Sequence, residues 1–234
     1  MFEDKVMIMG TMVTLGGSTS AGTGYLSEPA LPGPGVLVVH DDFGAQPHIQ
    51  DLCDALAAAG FTALGPDLFG GRLATDPADA EQLVAGLDLT RSRGMLTTAA
   101  RQLRAHPSVR PERIGAIGFA VGGWLALATA ISGVLDAVVA YYAALGADDR
   151  APIRCPVLLH LAEVDRWDPP DLPTSFVAEL RAAGGLVDTH TWADTRRGFA
   201  NADTRAYAPD QAAGAWAETV EFLGRQLRGP TGPR

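Results

Sequence analysis

The chain is almost without lysine: of its 18 cations only Lys5 is one, and the rest are arginine. Its 2 cysteines, Cys53 and Cys155, are too few for a disulfide framework and are not spaced as zinc ligands. They read as small buried hydrophobes. No apolar stretch reaches the roughly 18 unbroken residues that suggest a membrane span. The opening Met1-Phe2-Glu3-Asp4-Lys5 lacks the basic start and apolar run of a secretory leader, so the expected location is cytoplasmic. Bases are outnumbered by 27 acids, for a net charge of −9. That excess repels polyphosphate and anionic lipid, which argues against nucleic acid and membrane as partners. No metal-ligand spacing and no phosphate-cradling glycine loop points to a metal or a cofactor.

What is present suits one α/β domain. The chain has 234 residues, 47% hydrophobic and 19% charged, enough apolar content for a real core. Strands are predicted at Val6–Val13, Gly24–Ser27, Val36–His40, Phe61–Leu64, Arg113–Gly118, Leu135–Tyr142, Val157–Leu161 and Leu186–Trp192. Helices are predicted at Asp51–Ala59, Val121–Ile131, Thr174–Ala183 and Gln211–Leu227. Asp76–His106 reads as two helices with a break between Leu87 and Gly94. The segment 16–22 reads as a turn between the first two strands, and Pro29–Gly35 as a connector. Strands alternating with helices imply a mostly parallel sheet of about eight strands covered on both faces. The first two strands lack a long crossover and should form an antiparallel edge. Residues 1–228 are read as one domain, and 229–234 as a frayed tail.

The chemistry should sit at Gly118-Phe119-Ala120-Val121-Gly122-Gly123, which follows a strand and opens a helix. This is the setting of a nucleophile elbow, in which a sharp turn aims its middle residue and the helix N–H groups at a pocket. By itself the pattern fits an inert tight turn equally well. The middle residue is Ala120, whose methyl group cannot attack a carbonyl.

Four stretches make the pattern specific: Val36 to Phe69 (beginning V-L-V-V-H-D-D-F-G), Ile114 to Gly123, Ala137 to Tyr142, and His160 to Pro169 (H-L-A-E-V-D-R-W-D-P). In order and spacing the chain resembles the dienelactone hydrolases over about residues 6 to 225. The resemblance implies an α/β-hydrolase fold and a covalent triad. It places the nucleophile on Ala120, the triad acid on Asp165 and the triad histidine on Arg197, in the run Ala193 to Phe199. It places a pocket carboxylate on Asp41, with Asp42 beside it, and oxyanion donors on the backbone N–H groups of Val121 and Asp42.

Nucleophile and base act as a unit, so covalent acyl transfer is not expected if both are replaced. His40, His48, His106, His160 and His190 read as structural, His160 with the least certainty because it lies close to Asp165. The remaining site would gather Asp41, Asp42, Asp165 and Arg197, with Arg72, Trp124, Tyr141 and Tyr142 nearby. Asp165–Arg197 reads as a plain salt bridge; alternatively Arg197 anchors an anionic or carbonyl oxygen. Asp41 is the expected general acid or base, unless Asp41 and Asp42 only cap and brace a loop.

Three functions follow. The first is a repurposed enzyme performing non-covalent cyclisation, isomerisation, dehydration or lactone rearrangement on a small carbonyl- or carboxylate-bearing substrate. The second is a silent binding or scaffold protein. The third is an ester or lactone hydrolase with a substituted elbow residue or with water activated directly by Asp41. A monomer and a homodimer are equally compatible with the sequence.

Overall fold

A computed structural model describes residues 9–16 and 22–229. It contains one sheet of eight strands: β1 (Thr11–Leu15), β2 (Gly22–Ser27), β3 (Gly33–Val39), β4 (Thr62–Pro66), β5 (Val109–Phe119), β6 (Ala137–Tyr141), β7 (Val157–Val164) and β8 (Val187–Arg196). Their order is β1-β2-β4-β3-β5-β6-β7-β8. β1–β2 and β2–β4 pair antiparallel, and every later pairing is parallel. This is the architecture expected from the sequence. Residues 6–8 of the first predicted strand, most of the 16–22 turn, and the tail beyond Gly229 lie outside the described residues.

The helices are α1 (Pro47–Ala58), α2 (Pro77–Ala85), α3 (Leu89–Arg104), α4 (Val121–Ala130), α5 (Leu172–Ala182) and α6 (Pro209–Leu227). The α2–α3 break falls at Gly86–Asp88, at the start of the predicted interval. Two aspartates set these starts: Asp76 accepts the N–H of Asp79 (2.9 Å), and Asp88 that of Arg91 (2.9 Å). Proline at the start of α1, α2 and α6 contributes a ready-made helical φ and gives up an N–H that would have no partner there.

Side-chain alternation along the central strands divides the core. Leu37 and Val39 of β3 pack on the side of α3, α4 and α5, while Val36 and Val38 pack on the side of α1 and α6. Cys155 is buried on the first side and Cys53 on the second, both as free thiols. Burial pushes the Cys155 thiol up to about 12, consistent with an inert packing role.

The strand order also positions the site. From β3 the chain moves outward to β4, then returns to build β5 on the other flank of β3. The crevice at such a reversal, beyond the carboxyl ends of the strands, is where open α/β sheets bind ligands. Val39 of β3 is in register with Gly118 of β5. The loops that follow therefore carry Asp41-Asp42 and Ala120 side by side.

Candidate active site

The turn after β5 is a true elbow. Ala120 has φ 51° and ψ −119°, a conformation that side-chain-bearing residues rarely adopt. Its N–H donates to the Tyr141 carbonyl (3.1 Å), and its own carbonyl accepts from Trp124 N–H (3.0 Å), so both sides of the turn are tied down. The glycines are required by space. A methyl group on Gly122 would overlap the Val39 and His40 carbonyls, and one on Gly118 would overlap the Gly122 backbone.

Beside Ala120 lies the main electrostatic feature of the site. The Val121 N–H, first in α4, donates to Asp42 Oδ1 at 3.1 Å. The donor that the elbow pattern reserves for an oxyanion is thus engaged by a carboxylate of the chain itself. Burial raises the Asp42 carboxyl above the ordinary carboxylate range, against the opposing pull of Arg197 and the Val121 N–H.

Asp41 makes the loop-bracing bonds that were the alternative to an acid–base role. Its Oδ1 accepts the Phe43 N–H (2.9 Å), and its Oδ2 accepts the Asn201 amide (2.7 Å). Both oxygens are taken by protein donors, so Asp41 braces the β3 loop against the loop after β8. Nothing in the sequence marked Asn201, which lies 160 residues from Asp41.

Arg197 is fixed by several partners. Its Nη1 donates to Asp165 Oδ2 (3.0 Å) and to the Tyr142 carbonyl (2.8 Å), and lies 3.7 Å from Asp168 Oδ2. The guanidinium also lies 5.9 Å from the Trp167 ring centroid and 6.0 Å from that of Tyr142. The carboxyl of Asp168, the residue after Trp167, is raised mainly by burial, in spite of Arg197.

A cavity of about 1150 Å³ opens over these groups. Asp41, Asp42, Ala120, Val121, Trp124 and Arg197 line it, whereas Asp165 stands behind Arg197. Two expected neighbours do not reach it. Arg72 is exposed on the surface after β4. Tyr141 ends β6 with its ring toward α6, where its hydroxyl bonds Thr219 Oγ1 (2.7 Å). The cavity-lining tyrosine is Tyr142, beyond the strand end at φ 41°. Pairing alternate residues by strand period fails there because the regular strand has stopped.

The histidines have structural partners. His40 Nδ1 donates to the Asp41 carbonyl (2.8 Å), and its Nε2 accepts from Leu68 N–H (3.1 Å). His160 Nδ1 accepts from the Trp192 indole (3.1 Å), so the proton is on Nε2, facing Thr219 Oγ1 at 3.0 Å. Burial, with a smaller contribution from His190, lowers His160 to about 3, which keeps it neutral. Among the described residues no group of three or more His, Cys, Asp or Glu side chains could hold a metal ion. No described helix is long and apolar enough to cross a membrane.

An eight-stranded sheet with an antiparallel edge, a sharp β5–α4 elbow and an acidic loop after β7 defines an α/β-hydrolase-fold protein. The chain belongs to the dienelactone hydrolase family, whose model matches residues 23–227. A protein of Azospirillum brasilense provisionally named carboxymethylenebutenolidase is 32% identical over 230 residues, covering 90% of this chain and 95% of its own. A Bradyrhizobium protein provisionally named 2-oxo-3-(5-oxofuran-2-ylidene)propanoate lactonase is 27% identical, covering 93% and 94%. The solved structure m3DLH superposes with a TM-score of 0.84 at 26% identity, covering 94% of this chain and 99% of its own.

Proposed function

We propose that the protein hydrolyses a lactone or ester without a covalent intermediate, using Asp42 as general base. One observation carries this reading: a buried carboxylate with a raised pKa lies against the Val121 N–H, beside an elbow residue with no reactive side-chain atom. The names of the relatives favour hydrolysis over cyclisation, isomerisation, dehydration or lactone rearrangement. The large open cavity favours a ligand over a silent scaffold.

In this mechanism the substrate carbonyl sits over the Ala120 methyl group. Asp42 takes a proton from a water molecule as the water oxygen bonds to the carbonyl carbon. Protonation neutralises the carboxylate at the N-terminus of α4, leaving that positive helix end to the new oxyanion. The intermediate collapses, the ring or ester C–O bond breaks, and Asp42 returns the proton to the leaving oxygen. Lactone plus water gives hydroxy acid, and the protein ends unchanged. Ala120 and Arg197, standing at the family's nucleophile and histidine positions, take no covalent part.

The test is hydrolysis of a dienelactone and of an aryl ester by the unaltered protein and by Asp42→Asn. The variant should lose on the order of 10²-fold or more in kcat, and mass spectrometry of the working protein should show no acyl adduct. Full activity in Asp42→Asn, or an adduct on the unaltered chain, defeats the proposal.

A second reading retains Asp42 as acid–base group for a reaction that forms no tetrahedral oxyanion, such as isomerisation or cyclisation. It is favoured by the occupation of the Val121 N–H in the resting structure. Product analysis separates the two, because only hydrolysis incorporates solvent oxygen.

A further inference from the structure

We infer that the cavity selects a bulky apolar lactone or ester with no carboxylate of its own. This rests on the lactone or ester reading above and specifies the substrate class. Size is the first argument. At about 1150 Å³ the space exceeds the roughly 300–1,000 Å³ of a typical pocket for a drug-sized ligand. A small unsubstituted lactone would fill only the end beside Asp42, Ala120 and Tyr142.

The far end has its own wall. Pro77, Ala80, Val84 and Ala85 of α2 face the cavity, and Trp124 of α4 and Phe43 flank it. Short side chains on α2 keep that end open, while the aromatic rings give it apolar surface. Ala80 and Leu83 bury with Ala74 in a small cluster against Phe43 and Phe69, which holds α2 in place over the cavity. An apolar substituent lying there would leave water for a largely apolar chamber.

Charge is the second argument, and it is independent of size. The cavity is lined by the carboxyl groups of Asp41, Asp42, Asp76, Glu81, Asp168 and Asp203, against only two arginines, Arg197 and Arg205. Arg197 is already shared between Asp165 and Asp168, and Arg205 is exposed. A substrate carboxylate would meet two arginines, one shared with two aspartates and the other exposed, against six acidic residues.

The test compares three probes: γ-butyrolactone, γ-phenyl-γ-butyrolactone, and the same phenyl lactone carrying a para carboxylate. Affinity is read from the immediate quenching of tryptophan fluorescence, since Trp124 and Trp167 line the cavity. The phenyl lactone should bind about tenfold or more tighter than either of the others, the effect of burying one aromatic ring. Ala85→Trp, at an exposed position on the α2 wall, should weaken the phenyl lactone severalfold and leave butyrolactone unchanged. Val84→Trp is the second variant, and thermal melts of both verify folding. Equal or tighter binding of the carboxylate or of butyrolactone overturns the inference, as does unchanged phenyl-lactone binding in both folded variants. An intact binding order without turnover would defeat only the hydrolytic reading. Turnover dependent on Asp42 with the order reversed would defeat only this one.

Discussion

Asp42 Oδ1 accepts the Val121 N–H at 3.1 Å, so the first free amide of α4 is matched to a carboxylate reached from the opposite flank of the β3–β5 pair. The pairing satisfies the helix end but buries a charge. Burial raises the Asp42 pKa, so the folded state holds this proton more tightly than the unfolded chain does. The resulting stability is fully present below the unfolded carboxylate value of 3.8 and is lost as pH rises through the folded value. Asp42→Asn keeps an acceptor for Val121 and removes the titration. Its melting temperature should therefore exceed that of the parent at pH 7, with the gap closing toward pH 3. The kcat/KM profile of the parent should rise with pH through an apparent pKa above 3.8, and that limb should be absent from the variant.

A second expectation concerns Arg197. Its side chain is 17% exposed and those of Asp165 and Asp168 are 19% and 28% exposed, so solvent only partly screens the cluster. Arg197→Met removes the shared cation and the donor to the Tyr142 carbonyl together. The expected cost is about 1–3 kcal/mol in urea unfolding at neutral pH, the range for leaving buried polar partners unpaired. The loss should shrink on acidification, first as the raised Asp168 takes up its proton. A cost independent of pH would mean that packing of the arginine stem, and not its charge, holds the loop.

Much of this arrangement was legible in the residues. Continuous apolar runs such as Val36 to Val39 have no other place than a strand covered on both faces, and the glycines around Ala120 mark a turn with no room for side chains. The Asp165–Arg197 pairing could be anticipated from opposite charges at two positions that the resemblance alone assigned to one site. The division of labour between Asp41 and Asp42 could not. It depends on Asn201, which reaches Asp41 from a distant loop, and no local pattern announces such a tie. Tyr141 and Tyr142 were indistinguishable in sequence because the strand ends between them and the second turns to φ 41°. Arg72 is a surface residue for which the sequence offered only proximity to the β4 loop.

The Tyr141–Thr219–His160–Trp192 chain carries a third expectation. Thr219 Oγ1 meets the Tyr141 hydroxyl at 2.7 Å and His160 Nε2 at 3.0 Å, with all three groups buried. Thr219→Val conserves volume but leaves two buried polar groups without that partner. It should lower stability by about 1–3 kcal/mol for each group left unsatisfied and leave kcat unchanged, because none of these residues lines the cavity. His160 makes its own contribution to the acid side of the stability profile. With its folded pKa lowered to about 3 from 6.5, it contributes stability above 6.5 that is lost as pH falls toward the folded value. Thermal melts of the parent between pH 7 and pH 3 should follow that decline.

The last expectation tests whether the elbow is still shaped for covalent work. Ala120 keeps φ 51°, and Asp165 stands where it now holds a guanidinium nitrogen at 3.0 Å. A histidine at 197 would have that carboxylate to orient it, and a cysteine at 120 would point where the methyl now points. Ala120→Cys combined with Arg197→His should therefore form an acyl adduct with an aryl ester, seen by intact-protein mass spectrometry. Ala120→Cys alone should form it on the order of 10² times more slowly, because a nucleophile without its base gains little, and Arg197→His alone, with only a methyl group at the elbow, should form none. Asp42 introduces a further condition. While its carboxylate holds the Val121 N–H, the oxyanion lacks that donor, so adding Asp42→Gly to the double variant should speed acylation. If acylation is instead indifferent to residue 42, the Asp42–Val121 bond opens freely during the reaction and does not compete for the oxyanion.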